Sequence, residues 1–368
     1  MTNTTIKDLT QYLERIAPAA YQESYDNSGL IVGDPNTIIS GVLICLDSTE
    51  AIVDEAIAKG ANLIVAHHPI VFKGLKRFNG RNYVERVVMK AIKHDIAIYA
   101  IHTNLDSVLY EGVNTRIAEM LGLENTKILA PKAQILRQLV TFVPSENAEN
   151  VRKALFGAGA GAIGNYDECS FNLIGFGTFR ANDKAKPFIG DANVQHREAE
   201  TRIEVVFQNH QQSAIMAALK LAHPYEEIAY YISQLENTQA EIGAGMIGTL
   251  PKPMAAAAFL KQLKSTMKAG VVRHTALGDK PISKVAVCGG AGGFLLNDAI
   301  AQGADLFVTA DYKYHEFFDA DGKIIIADIG HFESEQYTIS LLFDVLSKKY
   351  STFALYCTEV NTNPVHYI

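Results

Sequence analysis

Histidine and carboxylate side chains stand in this sequence at the points where short apolar runs end. His67 and His68 follow one such run, and Pro69 then stops the strand. His102 follows a second apolar run and has Asp106 four residues later. Neutral imidazoles and carboxylates that converge on one point are common ligands of divalent metal ions. The chemistry that these residue types favour is therefore metal binding.

Two more clusters of the same kind occur in the last third of the chain. His331 is followed by Glu335 at a spacing that places both side chains on one face of a helix. Asp311 and His315 follow another apolar run. A single cluster of this kind is more typical of a helix cap or a satisfied polar strand end. Four clusters at strand ends favour a shared metal site, because the carboxyl ends of strands in an open α/β sheet meet at one crevice.

The number of candidate ligands favours two ions over one. An open catalytic site for one ion uses about three protein ligands, so two ions that share Glu335 fit the set better and leave positions for water. Such ions, roughly 3.5–4 Å apart, activate water against a phosphoryl, acyl or ring carbon centre. We expect two divalent ions per chain, with zinc as the expected metal and iron or manganese as alternatives. The five candidate ligands are His67, His68, Asp106, His331 and Glu335.

Five further residues are candidates for supporting roles. His102 and His315 could act as general acid or base, because imidazole titrates near neutrality. Asp26, Asn27 and Asp47 could orient a metal ligand or contact the substrate, although Asp and Asn are also ordinary turn residues. We therefore expect at least one of these two histidines beside the metal centre.

A glycine run at 289–293 (GGAGG) follows a predicted strand and precedes a predicted helix. Backbone N–H groups at the N-terminus of a helix bind anions. Gly289 and Gly290 are therefore candidates for contact with an anionic substrate near the metals. The alternative is a tight turn from strand to helix with no ligand.

The elements that must position these residues alternate between short apolar strands and helical patterns. Such alternation predicts βαβ units and a mostly parallel sheet covered by helices on both faces. The predicted fold class is therefore α/β. The first third of the chain predicts strands at 41–47, 62–68 and 96–103 with helices at 49–59 and 82–94, and the last third predicts strands at 284–288, 305–310, 323–329 and 353–357.

Two segments from opposite ends of the chain are alike. Residues 56–65 (AIAKGANLIV) and 299–308 (AIAQGADLFV) share seven of ten residues, and each predicts a helix end, a glycine turn and a buried strand. The alternative is that any βα unit has this form. We favour two half-domains related by duplication, which close into one α/β lobe. In that case His102 and His331 occupy equivalent strand ends, so the His102 imidazole lies within reach of the metal centre.

The middle of the chain has a different pattern. Its predicted order is βαββαβ, the order of ferredoxin-like α+β domains, with the polar stretch 180–197 as a long exposed loop. We predict an inserted domain at 129–244 between the halves of a metal-binding domain at 1–128 and 245–368. Such an insertion is tolerated because domain termini usually lie close together at the surface. The predicted elements are strands at 138–143, 168–179, 200–208 and 228–234 with helices at 146–156 and 211–222.

Composition excludes several classes of protein. The 368 residues carry 33 basic and 40 acidic side chains, a net charge of −7 without charge runs, which disfavours a general nucleic-acid binder. The hydrophobic fraction of 48% supports a large core. No apolar run reaches the ~18–20 residues of a membrane span, and no signal-peptide core begins the chain. The scattered cysteines predict reduced thiols in a cytoplasmic protein. They are Cys45, Cys169, Cys288 and Cys357.

A set of motifs along nearly the whole chain resembles one known family. They occur at 23–30 (ESYDNSGL), 67–69 (HHP), 102–106 (HTNLD), 243–248 (GAGMIG), 288–293 (CGGAGG), 313–315 (KYH) and 330–335 (GHFESE). Together they resemble the Nif-three-like dinuclear metal-centre proteins, also called GTP cyclohydrolase 1 type 2 homologues. The resemblance implies that His67, His68, Asp106, His331 and Glu335 are the metal ligands.

The resemblance also implies an assembly, a toroidal homohexamer whose dinuclear sites face an internal cavity. Longer members carry an inserted domain similar to the PII and CutA proteins, and 223–227 (HPYEE) falls where that similarity expects it. This chain departs from the family in having Tyr25 where a tryptophan is usual. It also has no cysteine beside its histidine clusters, unlike the zinc GTP cyclohydrolases of the first type.

Two functions remain open from the sequence. The first is a metal-dependent hydrolase that uses activated water on a small phosphate-bearing or nucleotide-like substrate. The alternative is a non-enzymatic binding or regulatory assembly, in which the metals are structural and the inserted domain is a PII-like sensor. Loss of hydrolysis in a metal-ligand variant would favour the first function, and full metal loading without turnover would favour the second.

Overall fold

The computed structural model describes residues 4–368 of the protein. The helices are α1 (Ile6–Ile16), α2 (Glu50–Lys59), α3 (Tyr83–Lys93), α4 (Thr103–Asp106), α5 (Val113–Met120), α6 (Ala148–Gly157), α7 (Gln212–Ala222), α8 (Ala256–Thr266), α9 (Leu296–Ala301), α10 (His331–Glu335) and α11 (Thr338–Lys349). The strands are β1 (Gly29–Val32), β2 (Gly41–Cys45), β3 (Leu63–Ala66), β4 (Ala97–Ala100), β5 (Glu124–Lys132), β6 (Leu136–Pro144), β7 (Phe171–Arg180), β8 (Gln195–Gln208), β9 (Tyr230–Gln234), β10 (Gln239–Met254), β11 (Arg273–His274), β12 (Ile282–Ala291), β13 (Leu306–Ala310), β14 (Ile325–Asp328) and β15 (Ala354–Cys357).

Capping residues explain where the first helices begin and end. The Thr49 side chain accepts a hydrogen bond from a backbone N–H in the first turn of α2, and Gly60 ends that helix in the left-handed region. The Asn82 side chain caps α3 in the same way, and His94 follows its last turn. The predicted helices at 49–59 and 82–94 therefore differ from α2 and α3 only by their capping residues.

The chain forms two compact units, one running to Pro131 and resuming at Ala240, the other covering Lys132–Gln239. The first unit has two mixed sheets, which confirms the α/β class. Its first sheet has the order β1-β4-β3-β2-β15, and its second has the order β11-β14-β13-β12-β10-β5. Strands β2, β3 and β4 are parallel, as are β12, β13 and β14. A buried apolar core lies against each sheet.

Strand β15 does not join the other strands of the last third, contrary to the sequence-based grouping. It pairs in parallel with β2, with Ala354 opposite Gly41 and Cys357 opposite Ile44. Every residue of β2 is buried, so its outer edge needs a partner for its backbone hydrogen bonds. The final strand supplies that partner, and the chain end is thereby fixed to the first sheet.

The two sheets of the first unit share a four-strand pattern. The orders β1-β4-β3-β2 and β11-β14-β13-β12 correspond, with one antiparallel edge strand in each. The similar segments build the same turn, because Gly60 and Gly303 both have φ of 70° and both follow a helix. Their N–H groups donate to Ile57 O and Ile300 O, at 3.1 and 2.9 Å.

Backbone hydrogen bonds correct the predicted equivalence of His102 and His331 by one residue. In the first sheet the residue after β4 donates its N–H to the last carbonyl of β3, and in the second sheet the residue after β14 donates to a carbonyl near the end of β13. Counted from these bonds, His102 corresponds to Gly330, and His331 lies one residue further along. The two bonds are Ile101 N–H to Ala66 O (2.9 Å) and Ile329 N–H to Thr309 O (3.0 Å).

The second unit has the element order β6-α6-β7-β8-α7-β9 and one antiparallel sheet of order β7-β8-β6-β9. Its core includes Leu139, Ile203 and Leu219, which are fully buried. The long loop predicted at 180–197 is shorter than expected, because β7 and β8 remain paired as far as Arg180 and Gln195.

Strand β10 was not predicted, because its GAGMIG run resembles a turn. The structure uses these glycines for close approach, since a Cβ on Gly243 would lie 2.1 Å from Ala130 O.

All four cysteines are free. Among the described residues, no helix has both the length and the apolar character needed to cross a bilayer.

Candidate metal centre

The predicted ligands come together at strand ends of the first unit. His67 and His68 follow β3, and Asp106 is the last residue of α4. His331 and Glu335 are the first and last residues of α10, one helical turn apart. The backbone that leads into His67 and His102 is tightly packed, because every residue of β3 and β4 is buried.

His67 provides the clearest indication of a cation site. The imidazole is fully buried, and its Nδ1 lies 2.9 Å from Ile101 O. Since a carbonyl oxygen only accepts, Nδ1 carries the proton and Nε2 keeps a lone pair. Nε2 lies 3.7 Å from Asp106 Oδ1 and 3.8 Å from Glu335 Oε1. It has no hydrogen-bond partner, and neither has that Asp106 oxygen. A lone pair that faces the buried Glu335 carboxylate and the buried Oδ1 atom of Asp106 fits a divalent ion.

His68 and His331 approach the other oxygen of Glu335. The His68 Nε2 lies 2.9 Å from Glu335 Oε2, and the His331 Nε2 lies 3.2 Å from the same atom. The two Nε2 atoms are 3.4 Å apart. The Nδ1 atoms point away, to Asp47 Oδ1 at 2.8 Å and to Asp311 Oδ2 at 2.6 Å. Asp47, which was predicted for a supporting role, and Asp311, which was predicted in the cluster with His315, therefore each contact a histidine of this cluster.

His102 also reaches the cluster, although it is equivalent to Gly330 of the second sheet and not to His331. Its Nδ1 lies 2.8 Å from Asp26 Oδ1. Its ring centroid lies 5.2 Å from that of His67 and 5.3 Å from that of His68. The structure thus places His102 and Asp26 beside His67 and His68.

All four histidines share one arrangement. Each imidazole is anchored through Nδ1 by a carbonyl or carboxylate oxygen, and such partners fix the tautomer and orientation of metal-binding histidines. Three groups of side chains place their ligand atoms within 4.8 Å of one another and could hold an ion. The groups are His67, His68 and His102; His68, His331 and Glu335; and His67, Asp106 and Glu335.

Burial and mutual contact shift the pKa values of the cluster. Burial raises the pKa of Asp106, and the Glu335 charge raises it further. Burial also opposes ionisation of Glu335, but the histidines around it, His331 first, hold its pKa well below the ordinary value. Burial would lower the pKa of His68, yet Asp47 and Glu335 raise it to about 9.

Neighbouring carboxylates raise the pKa of His331 even more than that of His68. Burial would lower its pKa, but hydrogen bonds to Asp311 and Glu335 raise that pKa to about 11. Burial dominates for His67 and lowers its pKa, despite the nearby Glu335. In the metal-free protein, the protonated imidazoles of His68 and His331 therefore offset the negative charge of the carboxylates. A bound cation would replace those protons.

Gly290 makes room for the central carboxylate. Its φ is +62°, and a Cβ there would lie 2.5 Å from Glu335 Oε1. Strand β12 continues through Ala291, so Gly289 and Gly290 are not at a helix N-terminus as predicted. Their N–H groups donate to Asn114 Oδ1 at 3.0 Å and Ser334 Oγ at 2.9 Å. Both donors are therefore used within the protein.

Two other predicted residues lie away from the cluster. Asn27 is exposed, and its side-chain N–H donates to Val71 O at 2.7 Å. His315 is exposed and contacts the rings of Tyr314 and Phe318. Among the described residues, neither Asn27 nor His315 lines the cavity into which the cluster faces.

That cavity has a volume of about 1340 Å³. Exposed aromatic rings stand in its wall, among them Tyr25, Phe72 and Phe294. Arg273 is the single lysine or arginine among the described residues that line it. The sequence did not suggest Arg273 or Phe72, because neither stands at the end of an apolar strand beside other polar ligands.

Cys288 also lines the cavity, which the separation of cysteines and histidines in the sequence did not suggest. Burial raises the pKa of its thiol, and the charges of Asp106 and Glu335 raise it further. In the metal-free protein the thiol is therefore protonated near neutral pH.

Comparison with known proteins gives consistent matches over the whole length. The profile of the Duf34/NIF3 (NGG1p interacting factor 3) family matches residues 4–364. A Bacillus subtilis protein named GTP cyclohydrolase 1 type 2 homolog is 39% identical over 368 residues, or 98% of each chain. A Halalkalibacterium halodurans protein of the same name is 40% identical over 97% of each chain.

Solved structures give the same result for the fold. A Bacillus cereus protein described as related to NIF3 is 37% identical, covers 100% of both chains and has a TM-score of 0.84. A Staphylococcus aureus protein is 30% identical over 100% of both chains, with a TM-score of 0.80. Sequence and structure therefore point to the same group of proteins.

Proposed function

The chain belongs to the Duf34/NIF3 family, and we propose that it is a dinuclear metal-dependent hydrolase of a small phosphate-bearing or nucleotide-like molecule. The observation that carries this proposal is the buried, unpartnered Nε2 of His67, which faces two carboxylates. A protonated imidazole would satisfy that geometry only against the burial that lowers the pKa of His67. A metal ion satisfies it directly.

We assign the ions to the two groups that contain Glu335. His67 and Asp106 hold one ion, His68 and His331 hold the other, and Glu335 contributes to both. Mixed imidazole and carboxylate ligands suit zinc, and they also suit iron or manganese. Bound ions of this kind act as Lewis acids and lower the pKa of water towards neutrality.

The remaining residues of the cavity have complementary roles. Asp26 holds the Nδ1 proton of His102, so His102 Nε2 is the atom that accepts or returns a proton during hydrolysis. The Arg273 guanidinium is paired with the buried Asp328 and also donates to Tyr312 O, and its other N–H groups are the donors that we assign to a phosphate group. The rings of Tyr25 and Phe72 provide apolar faces against which a nucleobase stacks.

Metal analysis and a hydrolysis assay test this function together. Wild-type protein dialysed against zinc should bind close to two ions per chain and hydrolyse at least one member of a panel of nucleotides and phosphoesters. Asp106→Ala should abolish that hydrolysis. Asp167→Ala, which removes an exposed carboxylate from the other unit, should leave it unchanged. Absence of bound metal in the wild type would contradict the proposal.

The finer architecture is also proposed. The order βαββαβ and the sheet order β7-β8-β6-β9 support an inserted ferredoxin-like domain. The shared four-strand order and the matching turns at Gly60 and Gly303 support two duplicated halves around it. We propose that the assembly is a toroidal homohexamer, on the strength of the family resemblance. Sedimentation equilibrium should give six times the mass of one chain, and a monomer mass would contradict it.

A second function has one observation in its favour. The unit Lys132–Gln239 contains its own cavity of about 620 Å³, lined by Phe142, Phe176, Tyr225 and Tyr231 among others. A sensor role would use this cavity for a regulatory ligand. It is supported if fully metal-loaded protein shows no turnover, while a metabolite raises the Tm of the wild type but not of Phe176→Ala.

A further inference from the structure

The segment that follows β15 crosses the first unit and lines the metal cavity. Thr362, Asn363 and Tyr367 are among its cavity-lining residues. The segment has no helical or strand structure after Cys357, so its side-chain contacts decide its path. Two neighbouring residues, Thr362 and Asn363, contact two different parts of the proposed metal centre, Asp47 and helix α10.

Thr362 contacts the carboxylate behind His68. Its Oγ1 donates to Asp47 Oδ2 at 2.8 Å. The other oxygen of the same carboxylate, Asp47 Oδ1, accepts from His68 Nδ1 at 2.8 Å. Thr362 therefore restrains the group that orients the His68 imidazole, without touching the imidazole itself.

Asn363 contacts the short helix that carries the other two ligands. Its Nδ2 donates to Glu333 Oε1 at 3.1 Å. Glu333 is buried and lies midway between His331 and Glu335 on α10. A buried carboxylate that loses a hydrogen-bond donor is destabilised in that position, so removal of this amide would disturb the helix at its centre.

The segment is also fixed on either side of these two residues. The Thr358 N–H donates to Ile44 O at 2.9 Å, and the Thr358 hydroxyl donates to Glu55. Further along, the Tyr367 ring packs so closely on Gly270 that a Cβ there would lie 2.6 Å from it. Specific contacts therefore hold the segment both before and after Thr362 and Asn363.

We propose that Thr362 and Asn363 are positioning residues, which fix the His68 side of the metal centre relative to the helix of His331 and Glu335. This inference rests on the proposed metal centre but not on hydrolysis. Partners that orient metal ligands typically change metal affinity by roughly 10–100-fold when removed. Thr362 acts through Asp47, so the lower end of that range, about tenfold, is the expected effect.

Zinc titration of the full-length protein tests the inference. Thr362→Val removes the hydroxyl at nearly constant shape and should weaken the binding of one ion about tenfold. Thr362→Ser restores the hydroxyl and should restore the affinity. Asn363→Ala should also weaken zinc binding. The matched control is Thr358→Val, which removes a hydroxyl-to-carboxylate contact of the same segment away from the site and should lower Tm without changing zinc affinity.

A double-mutant cycle separates positioning from general stability. If Thr362 acts through Asp47, Thr362→Val should have no further effect on zinc affinity in an Asp47→Ala background. An equal tenfold loss in both backgrounds would overturn the proposed path through Asp47.

Two other results would overturn the inference in different ways. Wild-type zinc affinity in Thr362→Val or Asn363→Ala, or an equal loss in Thr358→Val, would show that the segment contributes only stability, and would leave the metal centre intact. A wild-type protein that binds no zinc would remove the metal centre itself, and with it both this inference and the proposed function.

Discussion

The two sheets of the first unit have corresponding strands but different side chains at the ends of those strands. His67 and His68 follow β3, whereas the corresponding residues of the second sheet are Ala310, the last residue of β13, and Asp311, which follows it. Similar residues remain within the strands, where both sheets are apolar and buried. The backbone pattern is therefore repeated, but the chemistry is not.

The second difference lies two residues beyond a pair of matching cysteines. Cys45 and Cys288 occupy corresponding positions in β2 and β12, and they are followed by Asp47 and Gly290. Asp47 orients His68, whereas Gly290 leaves space for the carboxylate of Glu335. The comparison teaches that two sheets with corresponding strands supply different side chains to one candidate metal centre.

The largest expected effect tests whether residues that follow strands of the two sheets form one metal centre. Glu335→Ala should remove both ions, because one carboxylate oxygen faces His67 and the other faces His68 and His331. Asp106→Ala should retain about one ion, because Asp106 belongs to a single group. Elemental analysis after dialysis against zinc measures both. Retention of one ion in Glu335→Ala would show that the halves form separate sites.

The next effect tests whether Gly290 is needed to leave space for the Glu335 carboxylate. Gly290→Ala should weaken zinc binding about 100-fold, the upper end of the range for residues that position ligands, because the new Cβ would displace Glu335. Gly303→Ala is the control, since Gly303 has a similar positive φ but nothing within 4 Å of the added Cβ. Similar zinc affinities in the two variants would show that backbone strain, rather than contact with Glu335, explains any loss.

The third effect concerns protons and distinguishes His68 and His331 from His67. The pKa values of His68 and His331 are raised to about 9 and about 11, so both imidazoles are protonated at pH 7 and must lose protons to bind metal. Metal binding should therefore release protons and weaken as the pH falls, by about tenfold per pH unit for each proton released. Calorimetric zinc titrations in buffers of different ionisation enthalpy measure this number, and a value of zero would contradict it.

The smallest expected effect tests the fourth histidine. His102→Ala should fold but lose metal affinity or turnover by about tenfold, because its imidazole, held by Asp26, lies beside His67 and His68. His315→Ala, which removes an exposed imidazole outside the cavity, should behave as the wild type. If His102→Ala lowers Tm while its zinc titration and turnover stay at wild-type values, His102 is only a structural residue.

The sequence by itself determined local features, namely several helices and strands and the polar residues at the ends of strands. The predicted helices at 49–59 and 82–94 agree with α2 and α3, because their caps are formed by side chains a few residues away. The strand-end histidines were recognisable because buried apolar runs stop at polar residues. The family was also recognisable, since its motifs are short and contiguous.

Only the tertiary structure decided how distant residues are combined. It placed β15 beside β2 and aligned His102 with Gly330. It also gave each of the four histidines of the cluster an oxygen partner for its Nδ1 atom. It also brought Thr362 to Asp47 across 315 positions and Glu335 to His68 across 267. Contacts over such separations depend on how whole sheets pack, and they leave no periodic or local trace in the order of the amino acids.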